Sequence, residues 1–308
     1  MSKEESSEKL EKIEVYYSVL DLLKRSWPTP LVRLESFGDV WAKLEFYNPL
    51  SRSIKDRVAL YMIENLKGKC RRILDATSGN YGIALSILGK LYGIDVTILL
   101  PRRVERYVKT ILKILGARYI ETDIEINNED MIKLCRELAD RFEACFTDQF
   151  ENDLNPEAHY IYTGRELVKQ LKTISKKPDI FIAAIGTSGH ICGIGRALKE
   201  EFPNIKIIGV ACREDDHIPG MKPIKAGPRW INIVDHVFEI GLKDAVKGVI
   251  ELARKEGLLV GLSSGAVIAA LEHAMNTFGR DLTYVLVFPD DVFKYVDSIE
   301  KMISNVEL

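Results

Sequence analysis

Short apolar strand patterns and longer amphipathic helix patterns alternate along most of this chain. A strand pattern at 73–76 is followed by a helix pattern at 81–92, and the same order recurs up to a strand at 283–288. Because a helix between two strands of one sheet makes those strands parallel, this order predicts parallel sheets with helices on both faces. The alternation pauses near residue 150, where we expect a boundary between two domains.

The full pattern predicts an α/β fold of two domains, each with an open, twisted, mostly parallel sheet. Strands are predicted at 31–34, 40–46, 73–76, 95–100, 116–120, 179–185, 206–212, 236–240 and 283–288. Helices are predicted up to residue 25 and over 55–66, 81–92, 104–115, 127–142, 156–174, 191–202, 243–256, 266–278 and the C-terminal segment. The strand at 40–46 alternates apolar with polar residues, as a half-buried strand does.

Composition excludes several classes of partner. The chain has 308 residues and a net charge of −2, which gives no general reason to expect nucleic acid or an anionic membrane. No apolar run approaches the roughly 20 residues of a membrane span, and the polar N-terminus has no signal-peptide core. Five cysteines are scattered and never spaced as CxxC, and five histidines are dispersed. We therefore expect a cytoplasmic protein with no disulfide framework and no metal site.

The stretch from Lys43 to Arg57 holds the strongest candidate for covalent chemistry. Asn48-Pro49 ends its strand pattern, because proline fixes φ and restrains the residue before it. Ser51 and Ser53 are good helix N-caps, and an apolar helix period follows them. Lys55 is therefore predicted at a helix start, where the helix dipole disfavours an ammonium. A lysine amine kept neutral in this way can form a Schiff base, although a solvated lysine in a basic turn is equally compatible with this stretch alone.

Three short turns, each ahead of a helix pattern, are candidate ligand loops. Thr77-Ser78-Gly79-Asn80 offers backbone N–H groups and hydroxyls to a carboxylate. Gly186-Thr187-Ser188-Gly189-His190 is the better phosphate cradle, because its glycines allow close approach and the helix dipole favours negative charge. It matches neither GxGxxG nor a P-loop, so a single phosphate group fits it better than a nucleotide. In the third turn, Gly261 to Gly265, Ser264 is simply a helix cap on the plainest interpretation.

A candidate Schiff-base lysine, a phosphate loop and a carboxylate loop together indicate pyridoxal phosphate. With these features the chain resembles the cysteine synthase and cystathionine β-synthase family, which has the tryptophan synthase β-chain fold, fold type II of the pyridoxal-phosphate enzymes. The matching motifs, in family order, are Pro28-Thr29-Pro30-Leu31, Lys43 to Arg57, Ala76 to Asn80, Asp148-Gln149-Phe150, Asn155-Pro156, Thr163-Gly164, Gly186 to Gly189 and Gly261 to Ala266. The resemblance implies a cytoplasmic homodimer that acts on small molecules. It also implies a smaller domain at 42–152 and a larger cofactor-binding domain of 1–41 plus 153–308.

The resemblance further implies a role for each matched residue. Lys55 would hold the cofactor and move protons as general base and acid. Ser263, or Ser264 if the register slips by one, would face the pyridine nitrogen; a neutral serine there makes the ring a weaker electron sink, which suits β-elimination more than transamination. The cofactor phosphate would bind Gly186, Thr187, Ser188, Gly189 and His190. The substrate carboxylate would bind Thr77, Ser78, Gly79, Asn80 and Gln149, with Asn80 also reaching the pyridine hydroxyl.

Two positions depart from the family pattern. Tyr81 follows Asn80 where a threonine is usual, and we expect it to narrow or reshape the carboxylate end of the site. His190 ends the phosphate loop where a threonine is also usual, and it either adds a cation near the phosphate or caps the helix. Both departures bear on substrate identity more than on cofactor binding.

The implied reaction is replacement of the β-leaving group of an activated L-serine by sulfide, which yields L-cysteine. A serine or threonine dehydratase and a cystathionine-forming enzyme of the same fold would share most of these loops. A pyridoxal-phosphate-binding regulatory module without turnover is an alternative of another class, although the intact Lys55 and Gln149 argue against it. A plain nucleotide-binding α/β protein is a further alternative.

The loop at 218–230 suggests which leaving group is used. It carries Lys222, Lys225 and Arg229 and no acidic residue. A phosphate carries close to two negative charges and favours an arginine fork, whereas an acetyl group needs no such charge. We therefore predict that O-phosphoserine is a substrate, with Arg229 as the first phosphate partner and Lys222 as the second. The alternative is a solvated loop face.

Overall fold

The computed structural model describes residues 14–102, 104–123 and 129–303. Its strands are β1 (Leu31–Arg33), β2 (Val40–Leu44), β3 (Arg72–Ala76), β4 (Asp95–Pro101), β5 (Arg118–Thr122), β6 (Ile180–Ala184), β7 (Lys206–Cys212), β8 (His236–Ile240) and β9 (Tyr284–Phe288). Its helices are α1 (Val19–Arg25), α2 (Lys55–Leu66), α3 (Asn80–Tyr92), α4 (Arg106–Ile114), α5 (Glu129–Arg141), α6 (Leu154–Ala158), α7 (Arg165–Thr173), α8 (Gly189–Glu201), α9 (Leu242–Glu256), α10 (Leu262–Phe278) and α11 (Val296–Ile303). The predicted polar tail and the start of the helix predicted at 127–142 lie outside the described residues.

Six strands form the larger sheet in the order β1-β2-β9-β6-β7-β8. β1 runs antiparallel to β2, and every other neighbouring pair is parallel. Both faces are buried: Ile180 and Ile182 of β6 join one apolar cluster, whereas Phe181 and Ala183 join another. This is the pattern of a strand covered by helices on both sides.

Three parallel strands form the smaller sheet in the order β3-β4-β5. Ile73 of β3 faces the cluster built by α2 and α3, and its neighbour Leu74 faces the cluster that contains Met131 and Cys135 of α5. The predicted α/β fold, with mostly parallel sheets and helices on both faces, is therefore confirmed.

β2 lies across the predicted domain boundary at residue 42. It pairs with β9 over its full length, from Val40 opposite Tyr284 to Leu44 opposite Phe288, so it belongs to the larger sheet. The smaller sheet lies wholly within 42–152. We propose the same two-domain division with its first boundary moved to follow Leu44.

The helix predicted at 156–174 is confirmed as an unbroken helical segment, which consists of α6, a π-helical turn at His159–Gly164, and α7. Two other local predictions are wrong. α10 begins at Leu262 instead of Ala266, so Ser263 and Ser264 lie inside the helix. Ile54, and neither Ser51 nor Ser53, occupies the N-cap position of α2, although the Ser53 hydroxyl accepts a hydrogen bond from the Lys55 N–H at 3.2 Å.

The expectation that the cysteines stay unpaired is also wrong. Cys70 and Cys145 form a disulfide between residues 75 positions apart in the sequence. The segment at Cys145 runs beside β3 as a parallel bridge to Ile73, and this pairing brings the two cysteines together. A tertiary contact of this kind leaves no trace in cysteine spacing.

No helix in the described ranges is both long and apolar enough to cross a membrane.

Candidate active site

A cavity of about 740 Å³ lies where the carboxyl ends of strands from both sheets face each other. Thr77 follows β3, Pro101 ends β4, Ala184 ends β6 and Asp290 follows β9, and all four line it. Ligands of open α/β sheets bind at this edge, because loops and helix N-termini converge there.

Most of the predicted site residues meet in this cavity. Those that line it are Lys55, Thr77, Ser78, Gly79, Asn80, Gln149, Gly186, Thr187, His190, Lys222 and Ser263. Ser188, Gly189, Ser264 and Arg229 are not among the lining residues.

Lys55 is the first residue of α2 and extends its amine into the cavity. The amine donates a hydrogen bond to the Gln149 side-chain carbonyl at 3.3 Å. Burial and, to a smaller extent, the positive charge of Lys222 lower the pKa of Lys55 to about 8. Near neutral pH a larger fraction of this amine is therefore uncharged than in a solvated lysine, and the uncharged form is available as a nucleophile or a base.

Lys222 is another cation of the cavity lining, which also includes Arg106 and Lys301. Its amine lies 4.2 Å from the centre of the Phe150 ring, in a cation–π contact. Burial lowers its pKa to about 8 as well. The amines of Lys55 and Lys222 can therefore each be neutral or charged near neutral pH. In their charged form they favour an anionic ligand.

Arg229 is placed differently from the prediction. Its half-exposed side chain lies 3.8 Å from the Asp153 carboxylate, outside the cavity lining. The loop passes the cavity with Pro219 to Lys222 and then turns away, so the two cations predicted to act together are separated. Sequence spacing along an irregular loop does not determine which side chains face inward.

The turn from Thr77 to Asn80 lines the cavity beside Gln149. Gly79 precedes the first residue of α3, so the backbone N–H groups of this helix start face the ligand space. The Gln149 amide donates to the Ala76 carbonyl at 3.4 Å, and its carbonyl accepts from Lys55. This arrangement can hold a carboxylate next to the lysine amine.

Asn80 is held by residues that the sequence analysis did not select. Its amide donates to the Asp290 carboxylate at 2.7 Å, and its carbonyl accepts from the Tyr107 hydroxyl at 3.3 Å. Tyr295 donates to the same Asp290 oxygen at 2.6 Å. The sequence could have indicated Asp290, because this residue follows the end of a predicted strand. It could not have indicated Tyr107 and Tyr295, which reach the cavity only through tertiary packing.

The predicted phosphate loop presents Gly186, Thr187 and His190 to the cavity. A Cβ at Gly186 would come within 2.4 Å of the Gly220 carbonyl, so only glycine fits there. Ser188 is fully buried with φ +62°, and its hydroxyl donates to the Thr187 carbonyl and accepts from the Trp230 N–H at 3.0 Å. Its hydroxyl therefore anchors the neighbouring loop and is not free for a ligand.

Asn155 connects the two ligand loops. Its amide donates to the Gln149 backbone carbonyl at 2.6 Å and to the Thr187 hydroxyl at 3.1 Å. A Cβ at Gly189 would lie 2.1 Å from the Asn155 carbonyl oxygen, which is buried and has no hydrogen-bond partner in the part of the chain that the structure describes. The motif Asn155-Pro156 was visible in the sequence, but its bridging role was not.

In the protein alone, the His190 ring is uncharged. It is buried in the first turn of α8, next to the His159 ring at 6.0 Å between centroids. Burial, reinforced by the charge of Lys55, lowers its pKa to about 3. The neutral ring keeps its Nε2 atom without a hydrogen-bond partner among the described residues.

Ser263 and Ser264 are distinguished by position. Ser263 lines the cavity, whereas the Ser264 hydroxyl is buried and has no partner among the described residues. This geometry favours Ser263 over Ser264 as a ligand-facing residue. Across the described parts of the chain, no group of three or more His, Cys, Asp or Glu side chains is arranged to hold a metal ion.

Comparisons with known proteins agree with this geometry. The family model described as pyridoxal-phosphate dependent enzyme matches residues 22–290. A cysteine synthase of Staphylococcus aureus strain Mu50 is 33% identical over 291 residues, which cover 88% of this chain and 93% of the relative. Cysteine synthase B of Escherichia coli strain K12 is 36% identical over 255 residues, which cover 78% of this chain and 83% of the relative.

A solved structure extends the likeness to three dimensions. The crystal structure of a hydrogen sulfide-producing enzyme from Fusobacterium nucleatum superposes with a TM-score of 0.81 at 32% identity. The superposition covers 92% of this chain and 100% of that one.

Proposed function

The chain belongs to the cysteine synthase family of pyridoxal-phosphate dependent enzymes, and we propose that it replaces the β-substituent of an activated L-serine with sulfide. One observation carries the proposal above the others. The Lys55 amine lies 3.3 Å from the Gln149 carbonyl, in a cavity that also contains the Thr77–Asn80 turn and the Gly186–Thr187 turn. An amine and the two turns that we propose bind the carboxylate and the phosphate thus line one cavity.

The residues present fit the cofactor. Gly186 leaves room for close approach, and the start of α8 supplies backbone N–H groups for a phosphate. Lys55 supplies an amine that is partly neutral, and Ser263 supplies a neutral hydroxyl on the same cavity wall. When bound, pyridoxal phosphate supplies an aldehyde and a ring that delocalises the electron pair left by the departing α-proton.

The protein's own groups account for the remaining steps. The Thr77–Asn80 turn and Gln149 bind the carboxylate of the amino acid and orient its α-carbon toward Lys55. The Lys55 amine takes the α-proton as general base, and the bond from Cβ to the leaving oxygen breaks. Sulfide then forms a bond to Cβ, and Lys55 returns the proton to Cα as general acid.

A substrate panel tests this function. Purified holoenzyme is given L-serine, L-threonine, O-acetyl-L-serine or O-phospho-L-serine, each with hydrosulfide, with homocysteine or with neither. We expect sulfide-dependent formation of L-cysteine from an activated serine. Release of pyruvate, or of ketobutyrate from threonine, at a rate that sulfide does not change would indicate a dehydratase. Faster turnover with homocysteine would indicate a cystathionine-forming enzyme, and no turnover with any pair would indicate a regulatory module.

For the leaving group, we propose O-phosphoserine, with Lys222 instead of Arg229 as the main phosphate partner. Lys222 lines the cavity, and its burial strengthens its attraction for an anion. Arg229 is paired with Asp153 outside the lining. A charged partner of a phosphate contributes about 1.5–3 kcal/mol, which is roughly a 10- to 150-fold effect on binding.

Matched variants of one loop test the leaving group. We expect Lys222→Ala to raise KM for O-phosphoserine at least about tenfold more than KM for O-acetylserine. Lys225→Ala is the control, because Lys225 is exposed on the same loop and pairs with Glu214 at 3.4 Å. Arg229→Ala should resemble Lys225→Ala. An equal effect of Lys222→Ala on both substrates, or a parent enzyme inactive with O-phosphoserine, would overturn this proposal.

We also propose that the enzyme is a cytoplasmic homodimer, as the family resemblance implies. Light scattering on the purified protein tests the subunit number. The Cys70–Cys145 disulfide makes the redox state of the compartment a separate question, which thiol labelling of protein from intact cells answers.

A further inference from the structure

A buried chain of hydrogen bonds lies behind the carboxylate site. The Tyr81 hydroxyl is 2.7 Å from the Thr147 hydroxyl, which in turn forms a hydrogen bond with the Asp75 carboxyl group. The three side chains are 1%, 1% and 0% exposed, respectively. When Asp75 is ionised, Thr147 gives its one hydroxyl proton to Asp75 and accepts from Tyr81. Burial raises the pKa of Asp75 well above its usual range, and a protonated Asp75 donates to Thr147, which then donates to Tyr81.

The members of this chain belong to the two halves of the carboxylate site. Tyr81 directly follows Asn80 in the first turn of α3, and Asp75 lies two residues before Thr77. Thr147 lies two residues before Gln149 on a different segment. These hydrogen bonds therefore connect the Thr77–Asn80 turn to the segment that carries Gln149.

The backbone leading to Gln149 pairs with β3, where Cys145 exchanges hydrogen bonds with that strand at 2.8 and 3.0 Å, but the contact of the Gln149 side chain itself is weak. The Gln149 amide reaches the Ala76 carbonyl at 3.4 Å, near the limit of a hydrogen bond. The hydroxyl contact at 2.7 Å is far closer to ideal length, and it lies in a water-excluded site where such bonds are stronger. Tyr81 lines the cavity, and its hydroxyl bonds to Thr147 in the buried layer behind the carboxylate site.

We propose that Tyr81 is a positioning residue for amino-acid binding, whose hydroxyl acts through Thr147 to hold Gln149 against the Thr77–Asn80 turn. This role rests on the proposed function, because it presumes that the two halves bind one carboxylate. Without the hydroxyl, Gln149 would sample positions out of reach of the carboxylate, while Lys55 and the phosphate loop would keep their places. Substrate affinity would fall, and the rate of the bound complex would not.

The test compares two tyrosines of the same helix. Tyr81→Phe removes the hydroxyl of the chain, and Tyr92→Phe removes a hydroxyl that donates to Glu64 at 3.1 Å, away from the cavity. Holoenzyme is mixed rapidly with O-acetyl-L-serine, and the change in cofactor absorbance gives a half-saturating concentration and a limiting rate. We expect Tyr81→Phe to raise the half-saturating concentration about tenfold, the equivalent of one hydrogen bond, with the limiting rate within about twofold. Tyr92→Phe should change neither.

Two further readouts separate positioning from a loss of stability. Thr147→Ser keeps the hydroxyl and should bind substrate as the parent does, whereas Thr147→Val should resemble Tyr81→Phe. The double variant Tyr81→Phe, Thr147→Val should lose no more substrate affinity than either single variant, because both changes break the same chain of hydrogen bonds. Cofactor affinity, measured by fluorescence titration, should stay unchanged in all of them.

An unchanged half-saturating concentration in Tyr81→Phe, or an equal change in Tyr92→Phe, would overturn the role of Tyr81. A parent enzyme that reacts with no activated serine would instead overturn the proposed function. In that case the role of Tyr81 is tested by equilibrium titration of parent and Tyr81→Phe with L-serine, measured by the same cofactor absorbance. A dissociation constant in Tyr81→Phe equal to that of the parent would refute the role of Tyr81.

Discussion

Burial, more than local sequence, controls the charge of single residues in the cavity. The helix dipole at the start of α2 predicted a lowered pKa for Lys55, and the pKa is indeed lowered, but burial and Lys222 are the causes. Burial also keeps His190 neutral, although its place beside a phosphate loop suggested a cation. A residue type in a motif indicates what a side chain can do, whereas its protonation state depends on neighbours that the motif does not contain.

His190 makes the stability of the apoenzyme depend on pH. Its pKa falls from an ordinary 6.5 to about 3 on folding, so between these values the unfolded chain binds a proton that the folded chain does not. This contribution to stability is complete above pH 6.5 and is lost as pH falls toward 3. Burial lowers the pKa of His159 as well. We expect His190→Thr to reduce the dependence of the unfolding free energy on pH by about 1.4 kcal/mol per pH unit between about pH 6 and 4.

Urea unfolding of the two apoenzymes at several pH values measures this slope. Their difference isolates His190, since His159 and the carboxyl groups titrate in both. Parallel stability curves for parent and variant would show that His190 is protonated in the folded state.

The residues that carry a recognisable motif were predictable from the sequence. Lys55, Asn80 and Gln149 all line the cavity. Lys55 and Asn80 lie at helix starts that periodicity predicts, whereas Gln149 lies in a turn and was indicated only by the family motif Asp148-Gln149-Phe150. Arg229 was misplaced because it lies in a loop with no period, and Tyr107 was missed because only packing of α4 brings it to Asn80.

At the scale of secondary-structure elements, close contact between α8 and the π-helical turn fixes the phosphate loop. A Cβ at Gly193 would lie 2.2 Å from the Pro156 carbonyl and 2.6 Å from the Tyr160 nitrogen. The segment from α6 through this turn carries Asn155, which bridges the two ligand loops. A helical period predicts one continuous helix here and does not reveal the π turn, which lies where α8 packs closely against this segment.

We predict that Gly193→Ala destabilises the protein by about 1–3 kcal/mol, because a backbone carbonyl cannot move aside as a side chain can. Gly195→Ala on the same helix is the control. Its Cβ would meet only side-chain atoms at 3.5 Å, so it should be neutral or stabilising by up to about 1 kcal/mol through higher helix propensity. Denaturant unfolding measures both variants, and equal losses would contradict the packing argument.

The disulfide between Cys70 and Cys145 joins the turn after α2 to the segment that leads into Thr147 and Gln149. Crosslinking residues 75 positions apart removes chain entropy from the unfolded state worth about 4.5 kcal/mol. We expect Cys70→Ser to lower the unfolding free energy by up to about this amount. Reductant should bring the parent to the same value and leave the variant unchanged. A parent insensitive to reductant would show that the two thiols are not joined in solution.

On the scale of the whole molecule, a buried network of charges joins the larger sheet to the helix that carries Lys55. Arg57 of α2 donates to Glu45 at 2.7 Å and to Glu166 of α7 at 2.8 Å. Lys43 of β2 pairs with the same Glu166. Removing one member would leave a buried charge without its partner, so the network fixes the first turns of α2.

This network shows where sequence reasoning about the fold ends. Alternation of strand and helix patterns was enough to predict parallel sheets and most element positions. The pattern of β2 placed Lys43 and Glu45 on a polar face, yet both are fully buried, because their partners Arg57 and Glu166 come from other parts of the chain. Strand order has the same origin: the pairing of β2 with β9 joins residues more than two hundred positions apart.

The central claim is that Lys55 holds the cofactor in a cavity shared with one other lysine of lowered pKa. Borohydride reduction of the holoenzyme, followed by peptide mapping, tests it directly, because reduction fixes the cofactor to the amine that carries it. We predict a single labelled peptide with the cofactor on Lys55, and none in a Lys55→Ala variant that keeps the fold of the parent. Cofactor found on Lys222, or on any other lysine, would contradict the assignment on which the site and the reaction depend.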